Sequence, residues 1–147
     1  VGWMVVPQSH VRLVERLAQN LFICSPHVSQ VAALEAMSCE GELSQNLNTY
    51  HKNRQIIMDG LQHIGLQSFA PPDGAFYFYI DISKYSDDSL SFCNDILKEV
   101  GVAITPGVDF DPKRGKTTIR ISYARSTDEI KEGMTRLGQF MKKRGYF

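Results

Sequence analysis

The chain has 147 residues, with sixteen acidic and sixteen basic side chains and a net charge of zero. This length can bury a core as one domain, and the absence of a basic tract excludes a typical nucleic-acid-binding surface. Its three cysteines, Cys24, Cys39 and Cys93, are odd in number and lack C-x-x-C spacing. We therefore expect no metal site, no disulfide framework and a cytoplasmic location, with Cys39 and Cys93 as small core residues.

The first half of the chain predicts one strand and three helices. Val1–Val6 is an apolar run that favours a strand. A first helix is expected from Ser9, as its N-cap, to Phe22, and a second after Ser25-Pro26. Gly41 then separates these from the longest helix, about Glu42 to Ile64, which Gly65 ends. The longest uncharged stretch contains Asn, Pro and His, so we expect no membrane span.

The second half alternates strands and helices. The predicted elements are a strand at Ala75–Ile82, a helix at Asp88–Val100, a short strand at Val102–Thr105, a strand at Thr117–Ala124 and a last helix capped by Ser126 and Glu129. The first strand is apolar on both faces, which is typical of a central strand. This order predicts an α+β domain with a small, mostly antiparallel sheet and helices packed on one face.

Arg120 lies in the middle of the segment Thr118–Ala124. Ile119, Ile121 and Tyr123 alternate with it and fall on the opposite face of the strand. An arginine on a rigid strand presents two parallel donors to a carboxylate, which makes Arg120 a candidate binding residue. The alternative interpretation is an ordinary arginine that faces solvent on a half-exposed strand.

Four segments occur in an informative order: Val1-Gly2-Trp3, Pro72–Tyr77, Val102–Phe110 and Thr118–Ser126. Together they resemble the C-terminal part of the class I/II aminotransferases, which are pyridoxal-phosphate (PLP) enzymes of the aspartate aminotransferase fold (fold type I). The resemblance implies that residues 1–8 are a remnant of the large PLP-binding domain. It implies that residues 9–147 are the C-terminal, small domain with its connecting helices, so we interpret the chain as part of a longer protein.

The resemblance also implies roles for individual residues. Arg120 occupies the position that binds the substrate's α-carboxylate, and Tyr77 is a candidate for the substrate-side cleft, with a core tyrosine as its alternative. The lysine that forms the Schiff base, and the phosphate ligands, would lie before Val1. No catalytic or cofactor-binding residue is therefore expected in this chain, which alone should be inactive. Lys84 follows Ser83 after a strand but lacks the family's glycine-arginine context, so we interpret it as a surface lysine.

The function implied is transfer of an amino group between an amino acid and a 2-oxo acid by a homodimeric enzyme. A related PLP lyase or synthase shares these motifs, and a non-catalytic module that binds an amino acid as an effector is a further alternative. An unrelated α+β interaction domain is the simplest alternative. The four histidines share no ligand spacing, so surface positions are expected for them, with an interface role conceivable for His27. The resemblance implies that members acting on dicarboxylic substrates use a second arginine. The segment Gln19–Pro26 contains none, which argues weakly against an acidic substrate side chain.

Overall fold

The computed structural model describes residues 1–147, which form two compact units, residues 1–44 and residues 45–147. The third helix, α3 (Glu40–His63), begins in the first unit and ends in the second. None of the helices combines the length and the apolar character that crossing a membrane requires. No group of three or more His, Cys, Asp and Glu side chains is arranged to hold a metal ion.

The first unit contains helices α1 (Gln8–Leu21) and α2 (His27–Ala36), neither of which buries a residue. The strand predicted at Val1–Val6 is wrong, because a strand requires a paired backbone and this segment pairs with none. The N-cap of α1 is Pro7 rather than Ser9. Cys39 is only partly buried, so its predicted core position is also wrong.

Helix α3 starts at Glu40, so Gly41 lies in its first turn instead of interrupting the chain. Its end agrees with the prediction: Gly65 has φ +83°, and the next amide, that of Leu66, donates to the carbonyl of Leu61 at 2.9 Å. Glycine adopts this left-handed conformation at little cost, which explains why the helix stops there.

Three antiparallel strands form the sheet of the second unit: β1 (Tyr77–Asp81), β2 (Thr105–Pro106) and β3 (Thr118–Ser122). Their spatial order is β1-β3-β2, so β3 is the central strand. The prediction that the strand at Ala75–Ile82, which contains β1, is central is therefore wrong. In β1 only alternate residues are buried, which is the pattern of a strand with one covered face.

Two helices complete the second unit. Helix α4 (Ser89–Val100) is capped at its start by Asp88, whose carboxylate accepts from the amide of Ser91 at 3.0 Å. Its C-cap is Gly101, with φ +68°. Helix α5 (Thr127–Lys143) begins with the predicted capping box of Ser126 and Glu129. Both helices thus start where a side chain satisfies an otherwise unpaired amide.

The hydrophobic core lies between one face of the sheet and the helices. Two fully buried members, Leu66 and Ile82, lie just outside the regular elements. The others come from β1, β3, α3, α4 and α5: Phe78, Ile80, Ile119, Ile57, Leu61, Ile96, Leu137, Phe140 and Met141. This arrangement confirms the predicted α+β fold with helices on one face. The opposite face of the sheet carries Tyr77, Tyr79 and Arg120.

Candidate functional site

Arg120 lies at the centre of the uncovered face. It lies on the central strand β3, directly opposite Tyr79 of β1 and Thr105 of β2, so the two flanking strands hold its backbone from both sides. Its neighbour Ile119 is 0% exposed and points into the core. The predicted alternation is confirmed at this position, because the side chains of adjacent strand residues point to opposite faces.

The guanidinium of Arg120 forms no ion pair with any carboxylate of this chain. Its Nε is buried and has no hydrogen-bond acceptor in this chain. A guanidinium presents two parallel N–H groups that match a carboxylate, and no carboxylate of this chain uses those of Arg120.

Two aromatic rings contact the guanidinium. Its carbon, Cζ, lies 4.4 Å from the centroid of the Phe110 ring and 5.3 Å from that of Tyr77. Cations bind to aromatic faces at such distances with about 0.5–2 kcal/mol, more when water is excluded. Tyr77, the second predicted site residue, is thus half-buried beside Arg120. Phe110 was not singled out from the sequence, although it closes the segment Val102–Phe110.

Phe110 is held by a loop that folds tightly on itself. The amides of Phe110 and Asp111 both donate to the carbonyl of Gly107, each at 2.9 Å. The amide of Gly115 donates to the main-chain carbonyl of Asp111 at 2.9 Å. Gly107 and Gly115 pack backbone against backbone, with no room for a Cβ on either. The loop is therefore built around two glycines, because any larger side chain would separate its ends.

The carboxylate of Asp111 fastens the same loop. It accepts hydrogen bonds from the amides of Lys113 at 2.8 Å and Arg114 at 3.0 Å. The Arg114 amide, and then the Lys113 amide, lower the pKa of Asp111 by stabilising its charged form. The basic residues Lys113, Arg114 and Lys116 are exposed, in agreement with a solvated turn.

Asn53 of α3 holds the end of the strand that carries Arg120. Its amide nitrogen donates to the carbonyls of Tyr123, at 3.0 Å, and Arg125, at 2.7 Å. The side chain is 0% exposed, and its Oδ1 has no partner. Sequence reasoning missed this residue, although a lone asparagine beside the apolar positions of a helix is a usable signal for a buried polar contact.

Several other predictions concern residues outside this site. Lys84 is exposed, as predicted, and so are all four histidines, including His27. Cys93 is buried, as predicted, and burial, followed by the charge of Asp109, raises the pKa of its thiol to about 12.

The sequence profile described as "Aminotransferase class I and II" matches residues 1–137. The chain belongs to this family. It is 44% identical to a valine–pyruvate aminotransferase of Mycobacterium tuberculosis over 96% of this chain and 37% of that protein. It is 35% identical to a (5-formylfuran-3-yl)methyl phosphate transaminase of Methanocaldococcus jannaschii, over 97% of this chain and 38% of the relative.

Solved structures agree with these relatives. The crystal structure of a Silicibacter pomeroyi protein assigned as an aminotransferase has a TM-score of 0.88 at 56% identity. It covers 97% of this chain, which corresponds to 38% of the other chain. The chain of residues 1–147 therefore spans little more than a third of the length of the proteins it matches.

The family implies the cofactor PLP, which places definite requirements on the residues around it. PLP requires a lysine that forms an imine in a site protected from bulk water, together with donors for its phosphate. All eight lysines of the chain are exposed. The residues present here therefore do not form a PLP site by themselves, and what this chain offers is the environment of Arg120.

Proposed function

We propose that the protein containing this chain is a PLP-dependent aminotransferase that moves an amino group between an amino acid and a 2-oxo acid. Within it, Arg120 binds the α-carboxylate common to both substrates. One observation carries this proposal: the guanidinium has no internal carboxylate and its Nε has no acceptor, on a central strand and on the face opposite the core.

The geometry suits a carboxylate for physical reasons. A guanidinium and a carboxylate form two parallel, charge-assisted hydrogen bonds, which fix the plane as well as the position of the ligand. Because the carboxylate is attached to Cα, binding it fixes the reacting carbon. Such orientation supplies several kcal/mol toward the rate of many enzymes, about 7–11 in the most favourable intramolecular cases.

The remaining parts of the proposed enzyme lie outside this chain. The lysine, the phosphate ligands and the acid beside the pyridine nitrogen belong to the large domain, of which residues 1–8 are a remnant, and residues 9–147 form the small domain. Without that lysine the chain alone has no turnover. We further propose a homodimer, because the first unit exposes much apolar surface, including Leu17 at 62% and Leu21 at 75%. The three free cysteines favour a reducing compartment, so we propose a cytoplasmic location.

The substrate class is proposed from a relative and from the groups beside Arg120. The valine–pyruvate enzyme, at 44% identity, is named for substrates with apolar side chains. The rings of Phe110 and Tyr77 contact the guanidinium of Arg120. We therefore propose a neutral amino acid and a monocarboxylic 2-oxo acid such as pyruvate.

The test uses the complete, PLP-loaded enzyme with valine and pyruvate, and chromatography measures the alanine formed. Wild-type enzyme should produce alanine, and Arg120→Ala should lose most of this activity. Arg125→Ala is the matched control, because the side chain of this nearby arginine is exposed and its one ion pair is with Glu129, at 3.9 Å, while its carbonyl, which Asn53 contacts, is unchanged by the substitution. Full activity of Arg120→Ala would contradict the role of Arg120, whereas no alanine from wild type with any neutral amino acid would contradict the proposed activity.

A further inference from the structure

Phe110 has an unusual position for a large apolar side chain. It is 51% exposed and takes no part in the hydrophobic core. Its ring lies over the guanidinium of Arg120, with 4.4 Å between the ring centroid and Cζ. This contact is shorter than that of the Tyr77 ring, at 5.3 Å. The guanidinium is thus the group against which the Phe110 ring rests.

The loop gives this ring a fixed place. The amide of Phe110 donates to the carbonyl of Gly107, and the contact between Gly107 and Gly115 closes the loop at its base. The hydroxyl of Ser89, itself 0% exposed, donates to the Gly115 carbonyl at 2.6 Å and ties the loop to α4. A ring carried by such a loop can restrict the group beneath it, because the loop itself has little freedom.

Arg120 needs such a restriction. An arginine side chain has several rotatable bonds, and no hydrogen bond of this chain holds its guanidinium. Only the strand backbone and the two rings limit where the terminal nitrogens point. The Phe110 ring lies against one side of the guanidinium, so it restricts the directions from which a ligand can reach that group.

We propose that Phe110 is a positioning residue for Arg120: its ring fixes the plane in which the terminal nitrogens meet the substrate carboxylate. This inference rests on the proposed function of Arg120. Phe110 acts on the carboxylate, which every substrate shares, and not on the substrate side chain. Its loss therefore weakens the binding of all substrates by a common factor.

The experiment compares Phe110→Leu with wild type in the PLP-loaded enzyme, with leucine, valine and phenylalanine as amino donors and pyruvate as acceptor. We expect KM for all four to rise by one common factor, roughly 3- to 30-fold, while kcat stays within about threefold. Phe110→Tyr, which keeps an aromatic ring, should restore KM to within about twofold of wild type. Phe147→Leu is the matched control, because Phe147 is 52% exposed and lies elsewhere.

A double variant tests whether Phe110 acts through Arg120. In an Arg120→Ala background, Phe110→Leu should change KM by less than about twofold, because coupled residues are not additive. An equal effect in both backgrounds would overturn the proposal, as would KM changes that differ among the three amino acids. A loss of kcat and melting temperature at constant KM would also overturn it.

The two proposals can fail separately. If Arg120→Ala raises KM and Phe110→Leu does not, the positioning role is wrong and the function of Arg120 stands. If neither substitution changes KM, both are wrong.

Discussion

The side-chain amide of Asn53 donates to the main-chain carbonyl of Tyr123 at 3.0 Å, across seventy positions of sequence. The same nitrogen donates to the carbonyl of Arg125 at 2.7 Å. Tyr123 follows β3 directly, and Arg125 lies two residues further on. Helix α3 thus holds the end of the strand that carries Arg120 through one buried polar group. Buried carbonyls need a donor, because water cannot reach them.

Asn53→Ala should therefore destabilise the fold. The substitution leaves two carbonyls without their donor, and we expect the free energy of unfolding to fall by about 2–4 kcal/mol. Urea unfolding followed by circular dichroism measures it. Asn48→Ala, the same change at an exposed position of the same helix, should stay within about 0.5 kcal/mol of wild type. Equal stability of the two variants would show that the buried amide contributes nothing.

Gly107→Ala should disrupt the loop that carries Phe110. A Cβ at this position would lie 2.6 Å from the carbonyl oxygen of Thr118 and 2.8 Å from that of Gly115, and it would overlap the Thr118 hydroxyl. Backbone atoms cannot give way cheaply, so we expect a loss of about 3 kcal/mol or more, measured as a lower melting temperature.

Gly133→Ala supplies the opposite control for the glycine experiment. Gly133 lies within α5, and no atom lies within 4 Å of its hypothetical Cβ. Alanine is favoured over glycine in a helix by about 1 kcal/mol, so this variant should be slightly more stable than wild type. A similar loss of stability in both variants would indicate that the crowding at Gly107 is not the cause.

Some features of this protein could be predicted because they depend on local sequence. The alternation along β3 correctly predicted that Arg120 and Ile119 lie on opposite faces of the strand. The start signal at Ser126 and the stop signal at Gly65 were also correct. Each of these rests on backbone geometry within a few residues, which tertiary contacts did not override.

Other features depend on contacts between distant residues and could not be predicted in this way. The apolar residues of β1 gave no indication that β3 would take the centre of the sheet, because strand order is decided by pairing. Phe110 acquires its meaning only when the chain brings it to Arg120. Val1–Val6 has the composition of a strand but makes no backbone pairs here, and composition alone cannot supply a partner.

Cys93 should make stability depend on pH above neutrality. Its pKa is raised from an ordinary 9.0 to about 12, chiefly because burial disfavours the thiolate. Below pH 9 the thiol is protonated in both states. Between pH 9 and pH 12 the unfolded chain loses this proton while the folded chain keeps it, so stability falls as pH rises.

Urea unfolding at pH 8 and pH 10 measures this contribution. Wild type should lose about 1 kcal/mol more over this interval than Cys93→Ala, which has no thiol at this position. Iodoacetamide at pH 8 should modify the exposed Cys24 before the buried Cys93. Identical pH dependence in wild type and Cys93→Ala would contradict the raised pKa.

Arg120 variants give the sharpest test of the proposed site. Arg120→Lys keeps the positive charge but loses the two-point fork, and Arg120→Ala loses both. Removing one partner of a hydrogen-bonded charge pair costs about 2–5 kcal/mol, so kcat/KM for amino acids should fall by roughly two to three decades or more in Arg120→Ala. Arg120→Lys should lie between Arg120→Ala and wild type. PLP content, measured by absorbance, should be unchanged, because the proposed cofactor ligands lie outside this chain.

An amine without a carboxylate separates carboxylate binding from general damage. Isobutylamine is valine without its carboxylate, so it cannot use the guanidinium of Arg120. Wild type should transfer its amino group slowly, and Arg120→Ala should transfer it at about the same rate, within roughly threefold. The ratio of kcat/KM for valine to that for isobutylamine should therefore collapse in Arg120→Ala. If both substrates lose activity by the same factor, Arg120 supports the structure of the site and does not bind the carboxylate.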